Sequence, residues 1–129
     1  MSQAPKRKVV SPAPAANLPF STCISYGDLV FVSGLVGRNP QTGEIAQGDI
    51  AEQTRQTLRN IQVHLEKAGT SFNKALKLTI FILDMSKFGE MNQAYREFFT
   101  DEPPARSCVQ VVALPDKEAL VEIEIIAGR

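Results

Sequence analysis

The sequence predicts an α+β fold, a single domain in which two helices cover one face of a sheet of about five strands. Three observations lead there. Two stretches, Ile50 to Ala68 and Phe88 to Phe98, carry apolar residues at helical spacing. Several shorter apolar stretches alternate with period two, as strands exposed to two environments do. The chain has 129 residues, with 43% apolar and 22% charged side chains, enough for one core and ordinary for a globular domain.

Residues 1–19 are rich in alanine and proline, with Pro5, Pro12, Pro14 and Pro19. They read as an arm, extended or mobile rather than helical, with 1–12 its mobile part and 1–129 counted as one domain. Thr22 to Ser25 reads as a short strand, Tyr26-Gly27-Asp28 as a turn, and Leu29 to Ser33 as a buried strand. Ser33-Gly34 then breaks the pattern, and Asn39-Pro40-Gln41-Thr42-Gly43 forms a loop. Glycine in that place marks either a bulge or turn, or a point where backbone approaches something closely.

Asp49, with Glu52 three residues on, resembles a capping box. The helix it starts aligns Ile50, Thr54, Leu58, Ile61, Leu65 and Ala68 on one stripe, and Gly69 closes it. His64 lies beside the stripe and reads as a boundary residue. Ala75 to Leu83 reads as a central strand, with Leu76, Leu78, Ile80 and Ile82 on one face and Lys77, Thr79, Phe81 and Leu83 on the other. Asp84 or Ser86 caps a second helix, which presents Phe88, Met91, Tyr95 and Phe98. Asn92 shares that stripe, and an amide there must find a partner. It either stitches helix to strand or faces a site.

Pro104 to Val112 and Leu120 to Ile126 complete the sheet. Arg106, Cys108 and Gln110 fall on one side of the first, opposite Ser107, Val109 and Val111; Glu122 and Glu124 share a side of the second. Two helices cannot cover both sheet faces. The second face is expected to keep Phe81 and Leu83 together with Arg106, Cys108 and Glu122, and a partner subunit is the economical cover. Arg106 and Glu122 are then either an ion pair tying strands together or a site. An arginine fork grips a carboxylate at two points, and a nearby glutamate can orient or deprotonate a water, which suits hydrolysis of a small carboxylate-bearing substrate.

Other chemistries find no support. Lysine plus arginine equals aspartate plus glutamate, 14 each, so no basic footprint suggests nucleic acid or an anionic membrane. No glycine-rich phosphate loop, HExxH, CxxC or calcium-loop pattern occurs, and one histidine makes no metal set. No cofactor and no metal are expected. Two cysteines, Cys23 and Cys108, suggest a reducing, cytoplasmic setting, and Cys108 by itself reads as a small buried filler. No apolar run reaches the length of a membrane helix, the start lacks a signal-peptide core, and Lys6-Arg7-Lys8 reads as a solvated cluster.

The string Pro104-Ala105-Arg106-Ser107-Cys108-Val109-Gln110-Val111, then Leu114-Pro115 and Val121 to Ala127, resembles the signature of the RidA/YjgF family, the reactive-intermediate (enamine/imine) deaminases. Phe31-Val32-Ser33-Gly34, Asn39 to Gly43, the Gln53 to Ala68 helix with Gly69, and Met91 to Phe99 follow in family order, so the similarity runs from about Pro12 onward. The resemblance implies a chorismate-mutase-like fold with a mixed sheet, assembled as a homotrimer with clefts between subunits. It implies hydrolysis of 2-aminoacrylate-type enamines or imines to 2-keto acids and ammonia, without a cofactor. Arg106 matches the arginine that binds the substrate carboxylate, and Glu122 the glutamate that holds the attacking water. Cys108, Ser33, Gly34 and Asn92 match positions lining the cleft.

Two positions depart from that pattern. Leu18-Pro19-Phe20 stands where members often have Gly-Pro-Tyr, placing Phe20 at the cleft lip, and Ser33-Gly34-Leu35 stands where Ser-Gly-Gln is frequent. Both predict a less polar cleft. A non-catalytic module of the same fold, binding a 2-keto acid or a protein, is the alternative reading. RNA cleavage, attached to some members, fits poorly with the neutral charge and the lack of an aromatic platform.

Overall fold

The computed structural model describes residues 4–129. Six strands form one mixed sheet: β1 (Arg7–Pro12), β2 (Ser21–Tyr26), β3 (Leu29–Leu35), β4 (Ala75–Ile82), β5 (Ala105–Gln110) and β6 (Val121–Gly128). Their order across the sheet is β1-β2-β3-β6-β4-β5. β4 and β5 run parallel, and every other neighbouring pair is antiparallel. Helices α1 (Ile50–Lys67) and α2 (Phe88–Arg96) complete the α+β architecture, and no helix among the described residues is long and apolar enough to cross a membrane.

The alternation read from sequence sets which face of the sheet is covered. Val30 and Val32, Leu78, Ile80 and Ile82, and Val121, Ile123, Ile125 and Ala127 are all buried, and they meet Ile50, Leu58, Ile61, Leu65 and Met91 of the helices. Each large aliphatic side chain so buried contributes roughly 1.5–3 kcal/mol. Asp49 caps α1 by accepting from the Glu52 amide at 3.2 Å. Gly69, at φ 80°, closes it in a Schellman arrangement, with Thr70 N donating to Leu65 O at 2.9 Å and Gly69 N to Glu66 O at 3.0 Å.

Four features differ from expectation. The arm read over residues 1–12 contains β1, an edge strand paired with β2; its first three residues lie outside the described residues. β3 runs on through Gly34 to Leu35 by way of a bulge. Leu76 sits at an irregularity between Ala75 and Lys77 and is half exposed rather than facing the core. Leu83 leaves the sheet at the end of β4, beside Asp49 and Ile50.

A further difference concerns the sheet faces themselves. In the parallel β4–β5 pair, Arg106 lies opposite Leu78, Cys108 opposite Ile80 and Gln110 opposite Ile82. Arg106 and Cys108 therefore stand on the helix-covered face, not the open one. Glu122 pairs with Phe81 and Glu124 with Thr79, so the two carboxylates stay on the open face. That face carries Leu29, Phe31 and Val109 at 37%, 38% and 43% exposure, an apolar surface that two helices on the other side leave bare.

Candidate active site

The site residues fall into two halves, one on each face of the sheet. The first is built where α2 crosses the edge strand β5. Phe88, Asn92 and Tyr95 recur at i, i+4 and i+7 and so share one helix face. That face meets Arg106. Its Nη1 donates to Asn92 Oδ1 at 2.8 Å, and its Cζ lies 4.8 Å from the Tyr95 ring centroid and 5.4 Å from that of Phe88. Asn92 thus stitches helix to strand, as acceptor, through the side chain of Arg106. Among the described residues Arg106 has no acidic partner, so the Arg106–Glu122 ion pair is absent.

Tyr95 is 5% exposed and stacks on Phe99 at 4.6 Å, and its buried hydroxyl has no hydrogen-bond partner among the described residues. Burial pushes its phenol up to about 12, against the opposing pull of the Arg106 charge. Cys108 follows Arg106 on the same side of β5, half-buried against the core. Burial raises its thiol, more than Arg106 lowers it, so the neutral filler form is favoured. Cys23 and Cys108 are both free.

The second half lies on the open face around the β3 bulge. Between Val32, opposite Ile125, and Leu35, opposite Ile123, two residues face one. The extra residue turns Leu35 back toward the core, where it packs. Leu35 therefore lies on the covered side of the sheet, not on the open face with Glu122. The bulge also brings Gly34 against Glu122: a Cβ on Gly34 would lie 2.9 Å from the Glu122 Cδ and closer still to Oε2. Ser33 Oγ donates to Ser21 O at 2.7 Å, which commits its proton and leaves its lone pairs available. Burial, and then Glu124 beside it, push the Glu122 carboxyl above its ordinary range.

Next to these residues the open face holds a depression of about 270 Å³ lined by Ser21, Phe31, Ser33, Lys77, Thr79 and Glu124, among others. Lys77 Nζ donates away from it, to Ser107 Oγ of β5, at 2.9 Å. Phe20, at 48% exposure, immediately precedes Ser21 of that lining. Among the described residues no three His, Cys, Asp or Glu side chains gather to hold a metal. His64 instead shares a hydrogen bond with the buried Ser11 of β1, at 2.9 Å from Nδ1.

The two halves are far apart within one chain. Glu122 on β6 and Arg106 on β5 are separated by β4, about 10 Å across the sheet, and by three register positions, about 10 Å along it. They also point from opposite faces. A substrate of a few heavy atoms cannot touch both from one copy. Apolar spacing by itself assigns Phe88 and Tyr95 to the core stripe rather than to Arg106. Their spacing to Asn92 was the available signal.

Comparison with known proteins gives a consistent picture. A family model described as Endoribonuclease L-PSP matches residues 10–128. The chain is 46% identical over 115 residues to a RutC family protein of Pyrococcus horikoshii, spanning 89% of this chain and 90% of that one. It is 40% identical over 123 residues to a mouse 2-iminobutanoate/2-iminopropanoate deaminase, spanning 94% and 90%. The crystal structure of the YjgF gene product of Escherichia coli superposes with a TM-score of 0.86 at 38% identity, covering 95% of this chain and 98% of that one.

Proposed function

The chain belongs to the Endoribonuclease L-PSP family, that of YjgF and RidA, and on that premise we propose that it hydrolyses small 2-imino acids, and the 2-enamino acids that tautomerise to them, to 2-keto acids and ammonia. The observation that carries the reading is Arg106. It is a half-buried guanidinium with no acidic partner among the described residues, held by an amide and two rings, and so retaining its charge and most of its N–H groups for a carboxylate.

The reaction adds water across C=N. The water oxygen bonds to C2 while its proton passes to the Glu122 carboxylate and on to the imine nitrogen, giving a carbinolamine. The same carboxylate then relays the carbinolamine hydroxyl proton to the amine, the C–N bond breaks, and ammonia leaves as the carbonyl forms. A carboxylate whose carboxyl is raised above its ordinary value by burial is a stronger base than an exposed glutamate, which suits it to accept a proton and give it back. The carboxylate clamp and the water-holding glutamate stand on opposite sheet faces. Both act on one substrate only if they come from different copies, which supports a homotrimer with sites in its clefts. The bare apolar face is the surface such an assembly would cover. Ser33 and the backbone at Gly34 and Cys108 line the cleft, with Phe20 at its lip. No cofactor is required. Free cysteines suit a cytoplasmic, reducing setting.

The test generates the imine with an amino-acid oxidase in the presence of semicarbazide. The protein is expected to divert imine from the semicarbazone into keto acid, and Arg106→Ala to lose at least about 100-fold of that activity. An Arg106→Ala protein as active as its parent overturns the reading. Saturable keto-acid binding without turnover of any imine would favour the non-catalytic module.

A further inference from the structure

The surroundings of Arg106 are unusual in what they omit. A guanidinium drawn into a half-buried place ordinarily meets a carboxylate, because an unpaired charge loses its hydration without return. Here, among the described residues, its hydrogen-bond and ring partners are all neutral. Asn92 supplies an amide oxygen at 2.8 Å, Tyr95 a ring at 4.8 Å and Phe88 a ring at 5.4 Å, all from one face of α2. The thiol of Cys108, next on the same side of β5, is kept neutral by burial.

Resting on the function proposed above, we propose that Phe88, Asn92 and Tyr95 form a charge-neutral cradle that fixes the plane of Arg106 and leaves its positive charge free for the substrate carboxylate. Each part has a distinct task. Ring faces attract the cation through their quadrupoles without neutralising it, and two rings restrict the guanidinium plane. Asn92 occupies Nη1, so the incoming carboxylate meets the remainder of the fork. An aspartate at that position would bond more strongly and would cancel the charge. Tyr95, 5% exposed, is the inner support, and Phe88, 37% exposed, is the outer one, beside the approach from solvent. The Tyr95 hydroxyl has no hydrogen-bond partner among the described residues, so its contribution is the ring. Phe88 and Tyr95 are positioning residues, acting through Arg106.

Three variants test this in the imine assay, alongside the parent and Arg106→Ala. Asn92→Asp is expected to raise Tm or leave it unchanged, yet raise KM at least about tenfold, because it supplies the missing counter-ion. A purely structural stitch would not combine firmer folding with weaker binding. Tyr95→Leu is expected to raise KM about tenfold with kcat within about threefold. Tyr95→Phe keeps the ring and should restore KM to within about threefold of the parent. If Tyr95→Leu fails to fold, Phe88→Leu, at the exposed end, gives the same test.

A second readout needs no substrate. The Arg106 Nε–H proton resonance should carry a ring-current shift that moves in Phe88→Leu and again in Tyr95→Leu. Unchanged KM in Asn92→Asp, or a Tyr95→Phe loss as large as that of Tyr95→Leu, overturns the cradle. A parent protein with no imine turnover overturns the functional reading instead, and the two failures are distinguishable because only the second abolishes the effect of Arg106→Ala.

Discussion

Glu122 shows what one residue's surroundings do to both folding and chemistry. Burial and the neighbouring Glu124 favour its protonated form in the folded chain. A carboxyl raised on folding stabilises fully below its unfolded pKa, and that contribution is lost as pH rises through the folded value. At neutral pH the ionised group therefore costs stability. Glu122→Gln, neutral throughout, is expected to melt about 1–3 °C higher than the parent at pH 7, with the difference closing below about pH 4. The same variant should lose at least about 100-fold in kcat, and the acid limb of the parent's rate profile should lie above the ordinary glutamate value of about 4.3. Thermal melts and rates across pH check both. Gly34 gives the complementary case. A methyl there meets the Glu122 carboxyl, the end of a flexible side chain, so the fold can adjust while the carboxylate moves. Gly34→Ala should keep Tm within about 2 °C and lower kcat/KM at least about tenfold. Unchanged kcat/KM would show that Gly34 does not place the carboxylate. Arg106 and Glu122 were legible in the sequence because alternation and the C-terminal pattern single them out. Their opposite faces were not, because that relation passes through the register of β4, which pairs Leu78 with Arg106 and Phe81 with Glu122.

Among the elements, the helices and central strands were legible and the edges were not. The stripe from Ile50 to Ala68 is buried as its spacing requires, since a long amphipathic pattern has one way to face a core. β1 escaped notice because of its six residues only Ser11 is buried, and proline and irregular pairing obscure its period. α2 ends at Arg96, leaving Phe98 and Phe99 to pack from the following turn rather than from the helix. Parity fails at the β3 bulge as well, where the extra residue returns Leu35 to the core side. One polar residue inside the α1 stripe also went unread. Gln53, buried to 4% exposure, donates to Glu118 O at 3.2 Å and accepts from Leu120 N at 2.7 Å. It fixes the chain at the entrance to β6 and so the start of the strand that carries Glu122. Gln53→Leu keeps the volume and leaves both backbone groups unpaired, and should cost about 1–3 kcal/mol in urea unfolding. A cost below a few tenths would mean the loop finds other partners.

At the scale of the molecule, the arrangement of faces bears on how the proposed site would be assembled. One chain offers a cation at the edge of its covered face and a carboxylate on its bare face, and the sheet keeps them apart. A neighbour laid against the bare apolar face can bring its β5 edge, and with it Arg106, to the first chain's Glu122. Each site then takes Arg106 from one copy and Glu122 from the next. Mixing follows directly. Arg106→Ala and Glu122→Gln chains, each inactive alone, should regain activity when dissociated together and reassembled. A site is intact when an Arg106→Ala chain supplies the glutamate and a Glu122→Gln chain the arginine, so a random one-to-one mixture holds about a quarter of the parental sites. Native mass spectrometry verifies that mixed assemblies form, and the semicarbazide assay reads the activity. Recovery near that fraction requires a shared site. Mixed assemblies without recovery would mean that one chain must supply both groups, a result the sheet's register forbids and one that would overturn the pairing of Arg106 with Glu122.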